Sequence, residues 1–206
     1  MVPKISVAAL ACLFAIAASG TSGQTYPTRA LRIIDPYPAG GQGDVLARII
    51  APKVSESVGQ PVVVENRPGL AGNIGAEVAA KSPPDGYTLF MGTTVALGPS
   101  RSLYSKLPYD AIRDFAPVTR VGAGAYVLVV HPSLPVKSVK ELVALAKARP
   151  GQLDYASAGG AGSGSHLSSE LFRLRAGIDL AHVPYKGGPP AVVAVVSGET
   201  ALGIMT

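Results

Sequence analysis

The stretch "LRIIDPYPAGGQGDVLARIIAPKVSESVGQPVVVE", residues Leu31 to Glu65, decides the fold. "LRIID" is a short apolar run suited to a strand, and "PYPAGGQG" is turn chemistry. From Asp44 to Val58 the apolar residues Val45, Leu46, Ile49, Ile50, Val54 and Val58 recur at helical spacing. Asp44 suits the first turn and Gly59 ends the helix. Pro52 inside it is expected to kink it. "VVVE" (62–65) reads as a second strand, "GNIGAEVAAKS" (72–82) as a short helix and "YTLFM" (87–91) as a third strand. Strand, helix, strand, helix, strand is the signature of an α/β unit with a parallel sheet.

Working outward, Gly92 to Val118 is irregular, with one helical turn expected in "KLPYDAIRDF". The alternation resumes with a strand at "YVLVVH" (126–131) and a helix opened by the capping box Ser138-x-x-Glu141. A strand at Leu153–Ser157, a helix over about 164–175 and a strand at "DLAHVPY" (179–185) follow. "PPAVVAVVSG" is read as a helix because proline suits its first positions, and "TALGIM" as a last strand. Two α/β units result, divided near 122–125 and spanning 25–124 and 125–206.

Residues 1–24 differ from the rest. Lys4 is their only charge, and Ile5 to Ala18 is an unbroken run of apolar and small residues. That run suits the core of a signal peptide and is short of the roughly 18 residues that cross a bilayer as a helix. Export is therefore expected. Cys12, the one cysteine, sits inside the run, where a lipid-attachment cysteine would close it. After cleavage near Gln24 the chain has no cysteine and no disulfide. The net charge of +5 comes from scattered Lys and Arg, without basic runs carrying aromatics, which argues against nucleic acid as a partner.

Three Gly-rich segments stand where strands lead into helices: "PYPAGGQGD" (36–44), "RPGLAGNIG" (67–75) and "SAGGAGSGSH" (157–166). Ligands of open parallel sheets sit beyond the carboxyl ends of the strands, and free N–H groups at helix starts attract anions. Each loop alone reads equally well as a tight turn; three together point to one site. Neither nucleotide-binding glycine pattern is complete, and no dinucleotide or other cofactor is implied. His131, His166 and His182 lack metal-ligand spacing, so no metal site is expected. Ser165 and His166 are adjacent on a helix and diverge by about 100°, which disfavours a nucleophile and base pair. An exported serine hydrolase using Ser163 or Ser165 is the alternative reading.

The segments "YPTRALRIIDPYPAGGQGDVLAR", "GQPVVVENRPGLAGNIGAEVAAKSPPDGYTLFMGT", "LYSKLPYDAIRDFAPVT", "VLVVHPSLPVKSVKELVALAKARPGQLDYASAG", "SHLSSELF" and "HVPYKGGPPAV" resemble the periplasmic substrate receptors of tripartite tricarboxylate transporters, the Bug family. The resemblance implies a two-lobed, type II periplasmic binding protein that is not an enzyme. It implies a small carboxylate ligand and membrane permease subunits as partners. Lobe 1 would be 25–124 and lobe 2 125–206, with the return to lobe 1 lying beyond Thr206, so the fold read here is incomplete. Transferred by position, the ligand site comprises Tyr37, Pro38, Gly40 and Gly41, then Gly72, Asn73 and Thr93, and on the second lobe Ser157, Gly159, Ser163, Ser165, His166 and Tyr185. The sequence departs from the family at Asp35, usually apolar, and at Ser100 and Arg101, usually Asn-Pro. Its second-lobe loop is also one residue longer.

Overall fold

The computed structural model describes residues 26–206. The expected signal peptide and Cys12 lie outside the described residues. Two sheets form, each between layers of helix. In the first, β1 (Leu31–Asp35) is central, with β2 (Val62–Asn66) and β3 (Thr88–Phe90) parallel to it on either side. Helix α1 (Gln42–Val58) links β1 to β2, and α2 (Asn73–Ala80) links β2 to β3. α1 ends on Gly59 in the left-handed region, as the sequence suggests.

The buried face of α1 differs from the one read in the sequence. Ala47 and Ala51 are buried with Asp44, whereas Val45 and Ile49 are about half exposed. Small alanines let the helix approach Ile33 and the half-buried Val62, Val64 and Leu89, and the larger residues flank that stripe. On the opposite face Ala76, Ala96 and Tyr109 pack with Phe90 and Phe115. Two single turns, α3 (Thr94–Leu97) and α4 (Ser100–Leu103), lie in the segment read as irregular. They are too short for periodicity to reveal.

The second sheet has the order β4 (Val127–Val130), β7 (Leu202–Met205), β5 (Asp154–Ala158), β6 (Ala181–Tyr185). β7 enters between β4 and β5, parallel to β5 and antiparallel to β4, so this sheet is mixed. Helices α5 (Val139–Ala148), α6 (Gly164–Ala176) and α7 (Gly188–Ser197) cover it. Alternation along β5 serves both faces: Tyr155 packs with Leu142, Leu153 and Leu202, and Ala156 with Ala191, Val195 and Met205. Ser138 accepts from Glu141 N at 3.2 Å, the forward half of the capping box. The Glu141 carboxylate accepts from Lys137 N at 2.6 Å, one residue earlier than the motif requires.

Candidate functional site

The three Gly-rich loops all leave the carboxyl ends of strands. The first, Pro36–Gly41, turns so that Gly41 N donates to Pro38 O at 3.1 Å and α1 begins. Asn66 at the end of β2 donates to Tyr37 O, and Asp44 on α1 accepts from Gly40 N, both at 3.0 Å. The second loop runs Gly69, Leu70, Ala71, Gly72, all at positive φ. Leu70 and Ala71 hold a left-handed conformation costing a non-glycine residue about 1 kcal/mol or more. Gly75 lets α2 lie on Pro36, where a Cβ would come within 2.8 Å of Pro36 Cα.

The third loop follows β5. Gly159, Gly160 and Gly162 have positive φ, Gly159 N donates to Tyr185 O at 3.0 Å, and Ser163 caps α6 by accepting from His166 N. Gly162 N donates to His166 Nδ1 at 3.1 Å, which in the neutral ring leaves the hydrogen on Nε2. His166 lies against His182 in a tilted arrangement with ring centroids 4.4 Å apart, and His182 stacks on Tyr155 at 4.9 Å. The His182 Nε2 lies 2.7 Å from the Ser157 hydroxyl. Burial lowers the His182 pKa, and the neighbouring His166 adds to the effect.

These loops meet across a seam between the two sheets. A Cβ on Gly159 would stand 3.2 Å from the Tyr37 ring, and one on Gly187 3.0 Å from Pro38. Gly40 faces Pro189, and Gly162 faces the Tyr104 hydroxyl and Ala71. The seam thus brings together Tyr37, Pro38 and Gly40 with Gly159 and the Ser163 turn. Gly72 and Thr93 adjoin it: Gly72 packs on Pro36, the Thr93 hydroxyl caps α3, and the Tyr37 phenol donates to Ala71 O at 3.4 Å. Burial pushes the Tyr37 phenol up to about 12, so it stays a neutral donor.

Three expected residues turn their side chains elsewhere. The Ser165 hydroxyl is buried and donates to Ile204 O at 2.5 Å. The Tyr185 phenol donates to Glu199 at 2.8 Å. The Asn73 carbonyl accepts from Ser100 at 2.8 Å and Tyr109 at 2.7 Å, tying α2 to the segment after β3, although its Nδ2 is buried without a partner. Sequence reasoning missed Asn66, Tyr104 and Tyr126, the last with its hydroxyl against Gly164. Asn66 is the last residue of β2, where a polar side chain facing the first loop is a readable signal.

Chemically, the seam offers backbone N–H groups, hydroxyls, an imidazole N–H and phenols. Its neighbouring cations are engaged: Arg48 on Asp44 at 2.9 Å and Arg67 on Glu65. Lys186, beside Gly187, is exposed and forms no ion pair among the described residues. Among the described residues, the Ser163 hydroxyl caps α6 and the Ser165 hydroxyl donates to Ile204 O, and neither bonds a histidine ring. A depression of about 440 Å³ lies at the other ends of β1 and β3, lined by Arg29, Arg32, Asp85 and Tyr87. Its arginines are paired, Arg29 with Asp85 and Arg32 with Glu65.

Residues 46–206 match the tripartite tricarboxylate transporter family receptor, TctC. The chain belongs to this family. It is 44% identical to protein BugT of Bordetella pertussis over 188 residues, 91% of this chain and 57% of that protein. Among solved structures, Rpa4515 of R. palustris with adipate superposes with a TM-score of 0.84 at 40% identity. The alignment covers 87% of this chain and 60% of that one. MatC of Rhodopseudomonas palustris with bound malate gives 0.81 at 30% identity, covering 87% and 61%. The chain thus spans about three fifths of the length of these relatives, and its two-sheet α/β architecture is that of part of a periplasmic binding protein. The family is one of receptors, which gives the serine hydrolase reading no support.

Proposed function

We propose that the protein is a periplasmic solute receptor that closes two lobes, 25–124 and 125–206, on a small carboxylate and delivers it to a tripartite tricarboxylate-type membrane permease. In this reading residues 1–24 direct export and are removed. The observation that carries it is the seam: two glycine-rich loops from opposite sheets face each other at helix starts. Their glycines leave room for backbone N–H groups to reach a ligand. That similar receptors hold adipate and malate supports a carboxylate as the ligand class.

The ligand is held by Tyr37 to Gly41, Gly72 and Thr93 from one lobe and by Ser157, Gly159, Ser163 and His166 from the other. Hydrogen bonds to a charged group contribute about 1.5–3 kcal/mol each, so a few suffice without a cation. The first turns of α2, α6 and α7 carry no acidic residue, whereas α1 carries Asp44. An anion is therefore better placed at the second-lobe loop than at the start of α1.

Mass spectrometry of the small molecules released by denaturing protein purified from the periplasm tests this directly. A mono- or dicarboxylate is expected, with stabilisation of the emptied protein by adipate or malate. A neutral sugar, or no stabilisation by any carboxylate, overturns the reading.

A further inference from the structure

Beneath the Pro36–Gly41 loop lies a buried polar cluster that the proposed ligand contacts do not use. Asp35, the last residue of β1, has no exposed surface. Its Oδ2 accepts from Asn66 Nδ2 at 3.0 Å, and its Oδ1 has no partner. The same Nδ2 lies 3.0 Å from Tyr37 O and 3.0 Å from Asp44 Oδ1. A primary amide has two hydrogens, so three acceptors compete for them. Asn66 in turn accepts from Arg48 at 3.2 Å through its Oδ1.

The two carboxyl groups around this amide are unequally supported. Asp44 accepts from Gly40 N at 3.0 Å and from Arg48 Nε at 2.9 and 3.0 Å, which holds its carboxyl down to about 2. Burial pushes Asp35 up to about 6, and the Asp44 charge adds to this against the Tyr37 backbone, Asn66 and Arg48. The groups facing Asp35 from other elements are Asp44 and Arg48 on α1 and Asn66 on β2, with the Tyr37 phenol in the loop above. When two carboxyl groups share a partner, the less supported one takes the proton.

We propose that Asp35 is a proton-linked positioning residue of the ligand loop, so that binding of a carboxylate takes up a proton at Asp35. Protonated, Asp35 no longer needs the Asn66 hydrogen, and both amide hydrogens pass to Tyr37 O and Asp44. The carbonyl and the N–H at the two sides of the loop are then held together. The same proton removes a negative charge from beneath a site that takes an anion. Both effects tighten binding as the pH falls, and by linkage a bound anion raises the proton affinity of Asp35. This rests on the carboxylate-receptor reading above.

The test has two arms. Without ligand, the Asn66 side-chain amide and Gly40 N–H resonances are followed by NMR across the pH range; a common midpoint near 6 is expected. That titration is lost in Asp35→Asn, which is the same shape as the native residue. Flat resonances, or a titration that survives in Asp35→Asn, overturn the proposal without any ligand. In the second arm adipate is titrated calorimetrically at about one pH unit below and above that midpoint. The gain in affinity at the lower pH is expected to be about fivefold or more larger in the wild type than in Asp35→Asn, whose own change carries only the protonation of adipate itself. The same pH dependence in wild type and Asp35→Asn overturns the proposal and leaves the receptor reading intact. No binding of adipate, malate or any other mono- or dicarboxylate tried at either pH overturns the carboxylate reading and the linkage with it, while the titrating loop is still judged by its resonances.

Discussion

At the scale of single residues, buried charge and missing side chains set the properties of the seam. The pKa of Asp35 is raised from its ordinary 3.8 to about 6, so its folded form favours the proton. Its contribution to stability is complete below pH 3.8 and is lost as the pH rises through 6. Asp35→Asn is therefore expected to be more stable than the wild type above pH 7, by roughly 1–3 kcal/mol after screening, with the gap closing below pH 4. Thermal or urea melts at the two ends of that range check this. Asp44 behaves oppositely: its carboxyl is lowered to about 2, and the stability it supplies in full above 3.8 is lost as the pH falls from there through about 2. Gly187 and Gly159 act through space. At φ +132 and +103, with Pro38 and the Tyr37 ring facing them, a side chain is strained and collides. Gly159→Val is expected to weaken carboxylate binding more than tenfold and to lower the melting of the second sheet while that of the first changes little, as calorimetry and circular dichroism would read.

At the scale of elements, α6 presents the second-lobe loop, and its start is fixed by the Ser163 cap and the His166 ring against Gly162 N. Ser163→Ala removes the cap and is expected to cost about 1 kcal/mol of stability, measured by denaturant unfolding. The identity of the helices and strands was legible because turn chemistry punctuates every junction: Gly59, Gly177 and Gly198 end α1, α6 and α7 in the left-handed region. What was not legible depends on neighbours far along the chain. The buried stripe of α1 runs through Ala47 and Ala51 because the sheet comes close there, which a hydrophobicity pattern reads backwards. The antiparallel entry of β7 beside β4 is set by which slot β5 leaves open. In the site, the loops could be named from glycine content, but the direction of each hydroxyl could not. Ser165 turns inward to Ile204 O, and Asn66, which steadies the first loop, pairs with residues 22 to 31 positions earlier.

At the scale of the whole molecule, the buried core clusters belong to one sheet or the other, and across the seam glycines face Tyr37, Pro38, Tyr104 and Pro189. On the proposed reading, such a seam would open and close with little repacking, as a receptor that captures and releases a solute requires. The charges beside it are largely satisfied within each lobe, Arg48 by Asp44 and Arg67 by Glu65. On the same proposed reading, a ligand held between them is neutralised by local dipoles in a shielded cleft, where salt screens little. The most direct test is a calorimetric titration of adipate into the purified receptor at low and at high salt. The affinity is expected to change by less than about tenfold, or 1.4 kcal/mol. A steep loss of affinity with salt, abolished by replacing Lys186 or any single arginine, would contradict the account and show that a cation anchors the carboxylate.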